Sequence, residues 1–121
     1  MMTAPPFPTV IALADAGAPA ETYSPAPDRI LSGDPVQTVS NRFSSADGRF
    51  NCGLWTGAVG AWRVVFTENE FCHLLEGVVL VKGDDGSERR FVAGDAFVMP
   101  AGFTGIWEIL APAKKYYAVY E

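Results

Sequence analysis

From Asn51 to Glu121, short β-branched or aromatic runs alternate with glycine, proline, asparagine and aspartate at intervals of roughly ten residues. That rhythm suits strands joined by tight turns, as in a sandwich or barrel, and little else. The runs cover residues 54–56, 62–67, 70–76, 78–82, 88–92, 96–99, 105–110 and 116–120. Gly57 with Gly60, Asn69, Gly83 to Gly86, Gly94-Asp95, Pro100 to Gly102 and Pro112 separate them. Gly77 is the weakest separator and is expected to be a bend or bulge within a longer strand. No window carries a helical period, so an all-β fold with little helix is expected. The Asp84-Asp85-Gly86 stretch lacks the spaced acidic ligands of a calcium loop and is read as a hairpin turn.

Ahead of this region the character changes. Residues 1–35 hold all of the nine prolines except Pro100 and Pro112, with small residues between them, a composition that resists both helix and central strand. We read 1–35 as an extended arm and 36–121 as the barrel domain. Within the arm, Ile11 to Gly17 is apolar enough to dock on a neighbouring surface.

The apolar fraction of 49% is that of a globular chain, and 121 residues are enough for one domain with its own core. Fourteen acidic side chains against nine basic ones give a net charge of −5, and no basic run is longer than Arg89-Arg90 or Lys114-Lys115. Such a surface repels phosphate backbones and anionic lipid, so neither nucleic acid nor membrane is an expected partner. Two cysteines do not make a disulfide framework, and Cys52 and Cys72 are expected to be buried free thiols. The segment from Phe7 to Ala20 has no preceding cation and is broken by Pro8, Asp15 and Pro19, unlike an export signal. The cytoplasm is the default expectation.

The run FCHLLEGVVLV, Phe71 to Val81, is apolar at both odd and even positions. A strand with one face in water should alternate, so both faces are expected to be covered, one of them by the arm or by a second copy in a homodimer.

Two blocks carry the chemistry. Glu70 is followed after six residues by Gly77, and Gly94 is followed by five residues, Pro100, one residue and Gly102. Together they resemble the paired signature of the cupin superfamily, whose first motif reads HxH, three or four residues, E, six residues, G, and whose second reads G, five residues, PxG, two residues, H. The stretches SGDP from Ser32, GLWTG from Gly53, NEFCHLLEG from Asn69, AGDAFVMPAGFTGIWE from Ala93 and KKYY from Lys114 narrow the resemblance. They are similar to the small single-domain cupins related to the ureidoglycine aminohydrolase cupin domain, many without assigned function. The resemblance implies an RmlC-like jelly-roll barrel, commonly a dimer with exchanged N-terminal segments.

The sequence departs from the family at the metal ligands. The HxH pair falls on Arg63 and Val65, or on Val64 and Phe66, and the third histidine falls on Gly105. Of four customary ligands only Glu70 remains, whereas a catalytic transition metal needs about three protein ligands. Cys72 shares a strand face with Glu70 and adds at most a thiolate, while His73, of opposite parity, points away from the interior. No cofactor is therefore expected and a divalent metal is disfavoured.

Glu70 is the candidate acid or base, if burial perturbs it. Cys72 is a candidate ligand contact or a small buried hydrophobe. Trp107 follows the second motif and is the aromatic best placed to wall a pocket, whereas Trp62 is read as core. Arg63 and Lys115 are the cations expected to approach a bound anion. The leading expectation is a metal-free barrel binding a small polar or anionic metabolite. Acid–base catalysis through Glu70, as in an aminohydrolase, isomerase or lyase, is the alternative, and a ligand-free dimerisation module is a third.

Overall fold

The computed structural model describes residues 7–15 and 17–121. Among these, nine strands form in chain order: β1 (Glu21–Tyr23), β2 (Ile30–Gly33), β3 (Gln37–Ser44), β4 (Phe50–Gly57), β5 (Gly60–Val65), β6 (Asn69–Gly83), β7 (Glu88–Val92), β8 (Ala96–Met99) and β9 (Thr104–Tyr120). A single 3-10 turn at Pro27–Arg29 is the only helical element among the described residues. No helix there is long and apolar enough to cross a membrane.

The two longest strands organise the rest. β6 and β9 pair antiparallel from Asn69↔Tyr120 to Gly83↔Gly105. On its other edge β9 meets β5 over 104–109 and then β4 over 113–120. β3 adds to β4, β1 to β3 and β2 to β5, while β7 and β8 share the free edge of β6. The sheet therefore curls around one interior, the all-β jelly-roll of the cupin type that the motifs imply.

Pro112 does not end a strand as its chemistry suggests. It lies where the neighbour of β9 changes from β5 to β4, and it has no ladder partner on either side. A missing N–H costs nothing at that point, so β9 runs through. Opposite it, Gly77 is the bulge. Its φ is +96°, and an added Cβ would lie 2.7 Å from the Ala111 carbonyl oxygen, so only glycine fits. The bulge also reverses the strand's parity: Glu70, Cys72 and Leu74 face inward before it, Val79 and Val81 after it. Much of the two-faced appearance of Phe71 to Val81 comes from this slip, and the outward Phe71 is 48% exposed in the single chain.

The N-terminal segment is extended, but it is paired into the sheet at β1 and β2. Of the stretch 11–17, Ala16 lies outside the described residues. Ile11 is exposed, and the Arg42 guanidinium donates to the Asp15 carbonyl. β3 was not among the expected runs, because two of its inward positions, Gln37 and Asn41, are polar.

The core joins Trp55, Trp62, Cys72, Leu74, Val79, Val81, Met99, Trp107, Ile109, Ala113 and Tyr117. Phe91 and Phe97 stack at 3.8 Å, and the Trp55 and Trp107 rings meet edge to face at 6.1 Å. Both cysteines are free and buried.

Candidate functional site

The interior is incompletely filled. A cavity of about 220 Å³ remains, lined by Tyr23 from β1, Gln37 and Val39 from β3, Trp55 from β4, Trp62, Val64 and Phe66 on or just after β5, Glu70 from β6, and Trp107, Lys115, Tyr117 and Val119 from β9. Alternation explains the set: 62, 64 and 66, like 107, 115, 117 and 119, share one face of their strand.

At its floor lies a buried charge pair. Lys115 Nζ is 2.6 Å from Glu70 Oε2, with side-chain exposures of 5% and 17%. Cys72 Sγ donates to the same oxygen at 3.1 Å and accepts from Lys115 Nζ at 3.4 Å. The ammonium stands over the Trp55 and Trp107 rings, 4.7 and 4.5 Å from their centroids, which returns part of its lost hydration. Above the pair, Trp55 Nε1 donates to Tyr23 Oη at 3.0 Å and Gln37 Oε1 at 3.1 Å, and Tyr117 Oη donates to Asn41 Oδ1 at 2.9 Å.

These surroundings set protonation. Burial is the largest single influence and disfavours the Lys115 ammonium, yet the adjoining Glu70 carboxylate and Cys72 sulfur together outweigh it, and the lysine pKa lies above its ordinary value. Burial pushes the Cys72 thiol up to about 12, and burial also takes the Tyr117 phenol to about 12 and raises Tyr23. At neutral pH the site thus holds a charged lysine, a neutral thiol and neutral phenols.

Of the residues singled out from the sequence, Glu70, Cys72, Trp107 and Lys115 come together here. Arg63 does not, and the expectation that it reaches the ligand is corrected. It alternates with the inward Trp62 and Val64, so it points outward, where it makes a two-pronged pair with Asp84 at 2.8 and 2.9 Å. Those hydrogen bonds hold the Asp84 carboxyl at about 2. His73 likewise lies outside, its ring beside Tyr116. Trp62, read as core, also lines the cavity. Tyr23, Gln37, Trp55 and Tyr117 were not foreseen; only Tyr117, two residues beyond Lys115, carried a usable signal.

The residues present do not suit the metal that the fold commonly holds. Of the alternative histidine positions, Arg63 and Val65 face outward and Val64 and Phe66 are apolar. At Gly105 an added Cβ would run into the Lys82 carbonyl oxygen. Glu70 already serves an ammonium, and no cluster of three or more His, Cys, Asp or Glu side chains placed for a metal exists among the described residues.

Comparison with known proteins agrees with this architecture. A protein of unknown function from Pseudomonas syringae pv. tomato superposes with a TM-score of 0.77 at 23% identity, over 84% of this chain and 44% of that one. The EutQ protein of Clostridium difficile gives 0.63 at 17% identity, over 71% and 63%. A protein of unknown function from Acidithiobacillus ferrooxidans gives 0.64 at 16%, over 89% and 92%. The chain thus spans less than two thirds of the length of the first two. No curated protein sequence matches it. Residues 44–117, more than half of the chain, match the EutQ-like cupin domain, and the protein belongs to that family of small cupins.

Proposed function

We propose that this cupin binds a small polar metabolite in its barrel without a metal. The observation that carries the reading is the Glu70–Lys115 pair, buried under an aromatic-walled cavity. Taking two charges out of water costs several kcal/mol per ion, and apolar residues of similar volume would hold a core together at least as well. A pair kept at the floor of an open cavity is better explained by recognition than by stability. The cavity is smaller than the roughly 300–1,000 Å³ of drug-sized sites, which favours a compact ligand.

The protonation states support binding over covalent chemistry. A protonated lysine and a neutral thiol are poor nucleophiles, and acid–base catalysis would rest on Glu70 alone. Thermal-shift screening of a metabolite panel tests the reading, since a ligand at a hundred times its dissociation constant adds about 2.7 kcal/mol. A binder should stabilise the wild type and Arg63→Ala alike but not Lys115→Met. A panel that leaves the melting temperature unmoved would favour a purely structural barrel. Turnover that Glu70→Gln abolishes while affinity is kept would favour the enzyme.

A further inference from the structure

The hydrogen-bonding groups around the cavity divide into committed and uncommitted ones. An indole N–H can only donate, so the Gln37 amide must present Oε1 to Trp55, at 3.1 Å. Its Nε2 donors are turned the other way and meet no partner among the described residues. The Tyr23 hydroxyl, at the half-open rim, accepts the same N–H at 3.0 Å and keeps its own proton unassigned. Across the cavity, Glu70 takes both Lys115 and Cys72 on Oε2, and Oε1 has no partner among the described residues. Lys115 itself, though it lines the cavity, is hemmed in by Glu70, Cys72 and two indole faces and is 4% exposed, so it offers a further acceptor little surface. Tyr117 donates to Asn41.

What remains is one acceptor on the Glu70 side, donors on the Gln37 and Tyr23 side, the Trp107 Nε1 donor, which is buried and meets no partner among the described residues, and aromatic walls between. We propose, resting on the metabolite-binding reading above, that the cavity selects an uncharged ligand with an N–H or O–H donor for Glu70 Oε1. The same ligand carries a carbonyl or hydroxyl acceptor for Gln37 and Tyr23 and an apolar body against Trp62 and Phe66. A carboxamide or a hydroxylated carbonyl compound has this form. The matching carboxylate is rejected. The charge of Lys115 is already neutralised, a second anion would enter a poorly hydrated space uncompensated, and at Oε1 it would meet a like charge. This departs from the expectation that the lysine draws in an anion.

Matched probes decide the matter: benzamide with benzoate, nicotinamide with nicotinate, and isobutyramide with isobutyrate, titrated at pH 7 and followed by tryptophan fluorescence and protein NMR. The amide of a pair is expected to bind at least about tenfold more tightly than its acid, the effect of one unpaired charged group. In folded Glu70→Gln the preference should reverse, because the like charge at Oε1 is gone and the Lys115 ammonium, no longer neutralised, makes the cavity favourable to an anion without direct contact. A carboxylate bound by the wild type as tightly as its amide overturns the proposal while leaving metabolite binding intact. Binding of no probe at all overturns both. Should Glu70→Gln fail to fold, the wild-type comparison still decides.

Discussion

Replacing Glu70 by glutamine removes one charge and almost no volume, so its consequence is electrostatic. Lys115, 4% exposed, is left as an ammonium without a counter-ion. Breaking a buried pair in this way costs about 3–5 kcal/mol. The alternative, releasing the proton at pH 7 from a group whose ordinary pKa is about 10.4, costs about 4.6 kcal/mol at about 1.36 kcal/mol per pH unit, so the two limits agree. With an unfolding entropy of about 2.1 cal/mol/K per residue over 121 residues, a loss of about 4 kcal/mol lowers the melting temperature by about 16 °C. The pH dependence supplies a signature. In the wild type the lysine pKa is raised by folding, so its contribution is fully present below the unfolded value and is lost as pH rises through the folded one. In Glu70→Gln burial, the largest influence on Lys115, loses its main opponent and depresses the folded pKa, so the penalty shrinks as pH rises toward about 10.4. Cys72 touches both members of the pair and its thiol is held up by burial and also by Glu70, so the comparison is made with Cys72→Ala in both proteins, which removes its titration. Urea unfolding of both between pH 7 and 10 should therefore show a stability gap that closes with pH. A gap under about 1 kcal/mol at pH 7, or one independent of pH, would refute a buried ion pair here. The double variant Glu70→Gln/Lys115→Met should recover most of the loss, since it removes the stranded charge.

Three further outcomes follow from the geometry. Gly77→Ala should destabilise by at least about 2 kcal/mol, from a positive φ compounded by the clash with the Ala111 and Pro112 carbonyls, as read by chemical denaturation; a neutral effect would mean that the bulge is not fixed. Cys72, wholly buried with its thiol at about 12, should resist iodoacetamide until the chain unfolds, and native labelling at the rate of a free thiol would contradict its placement. The adjacent outward side chains Phe71 and Val98, 48% and 59% exposed, are expected to be covered by a second copy of the chain. Light scattering at micromolar concentration should then give twice the 13.0 kDa mass, and a monomer alone would exclude the homodimer.

Turn chemistry made most of the fold legible. Gly94, Gly102 and Gly86 adopt the positive φ their turns require, and the runs from Glu88 to Met99 emerge as strands with the expected bounds. What escaped notice was polar where strands are expected to be apolar. β3 turns Gln37 and Asn41 inward because each has a partner there, Trp55 and Tyr117, that no local pattern reveals. β1 and Tyr23 were hidden by prolines at Pro19 and Pro25, which flank the strand without interrupting it. Spacing from Glu70 lands on Arg63 but does not fix which face that position takes, whereas Trp62, one residue earlier, marks the inner face.

Lys115 shows how an element boundary can conceal a site. Along β9 the buried positions are Gly105, Trp107 and Ile109, then Ala113, Lys115 and Tyr117, one unbroken phase of odd numbers. A strand carried from Trp107 through to Tyr117 would have put Lys115 inward on parity alone. Taking Pro112 as a stop severed that phase and left the lysine as a free cation of a separate short strand. The partner is no easier to find by register, because Lys115 lies opposite Leu74 and Glu70 opposite Val119. The pair therefore joins diagonally along the strands, over a distance that only a side chain of lysine's length spans. Arginine at 115 has the charge but needs room for a planar fork between Trp55 and Trp107, so it should not restore what Lys115→Met removes.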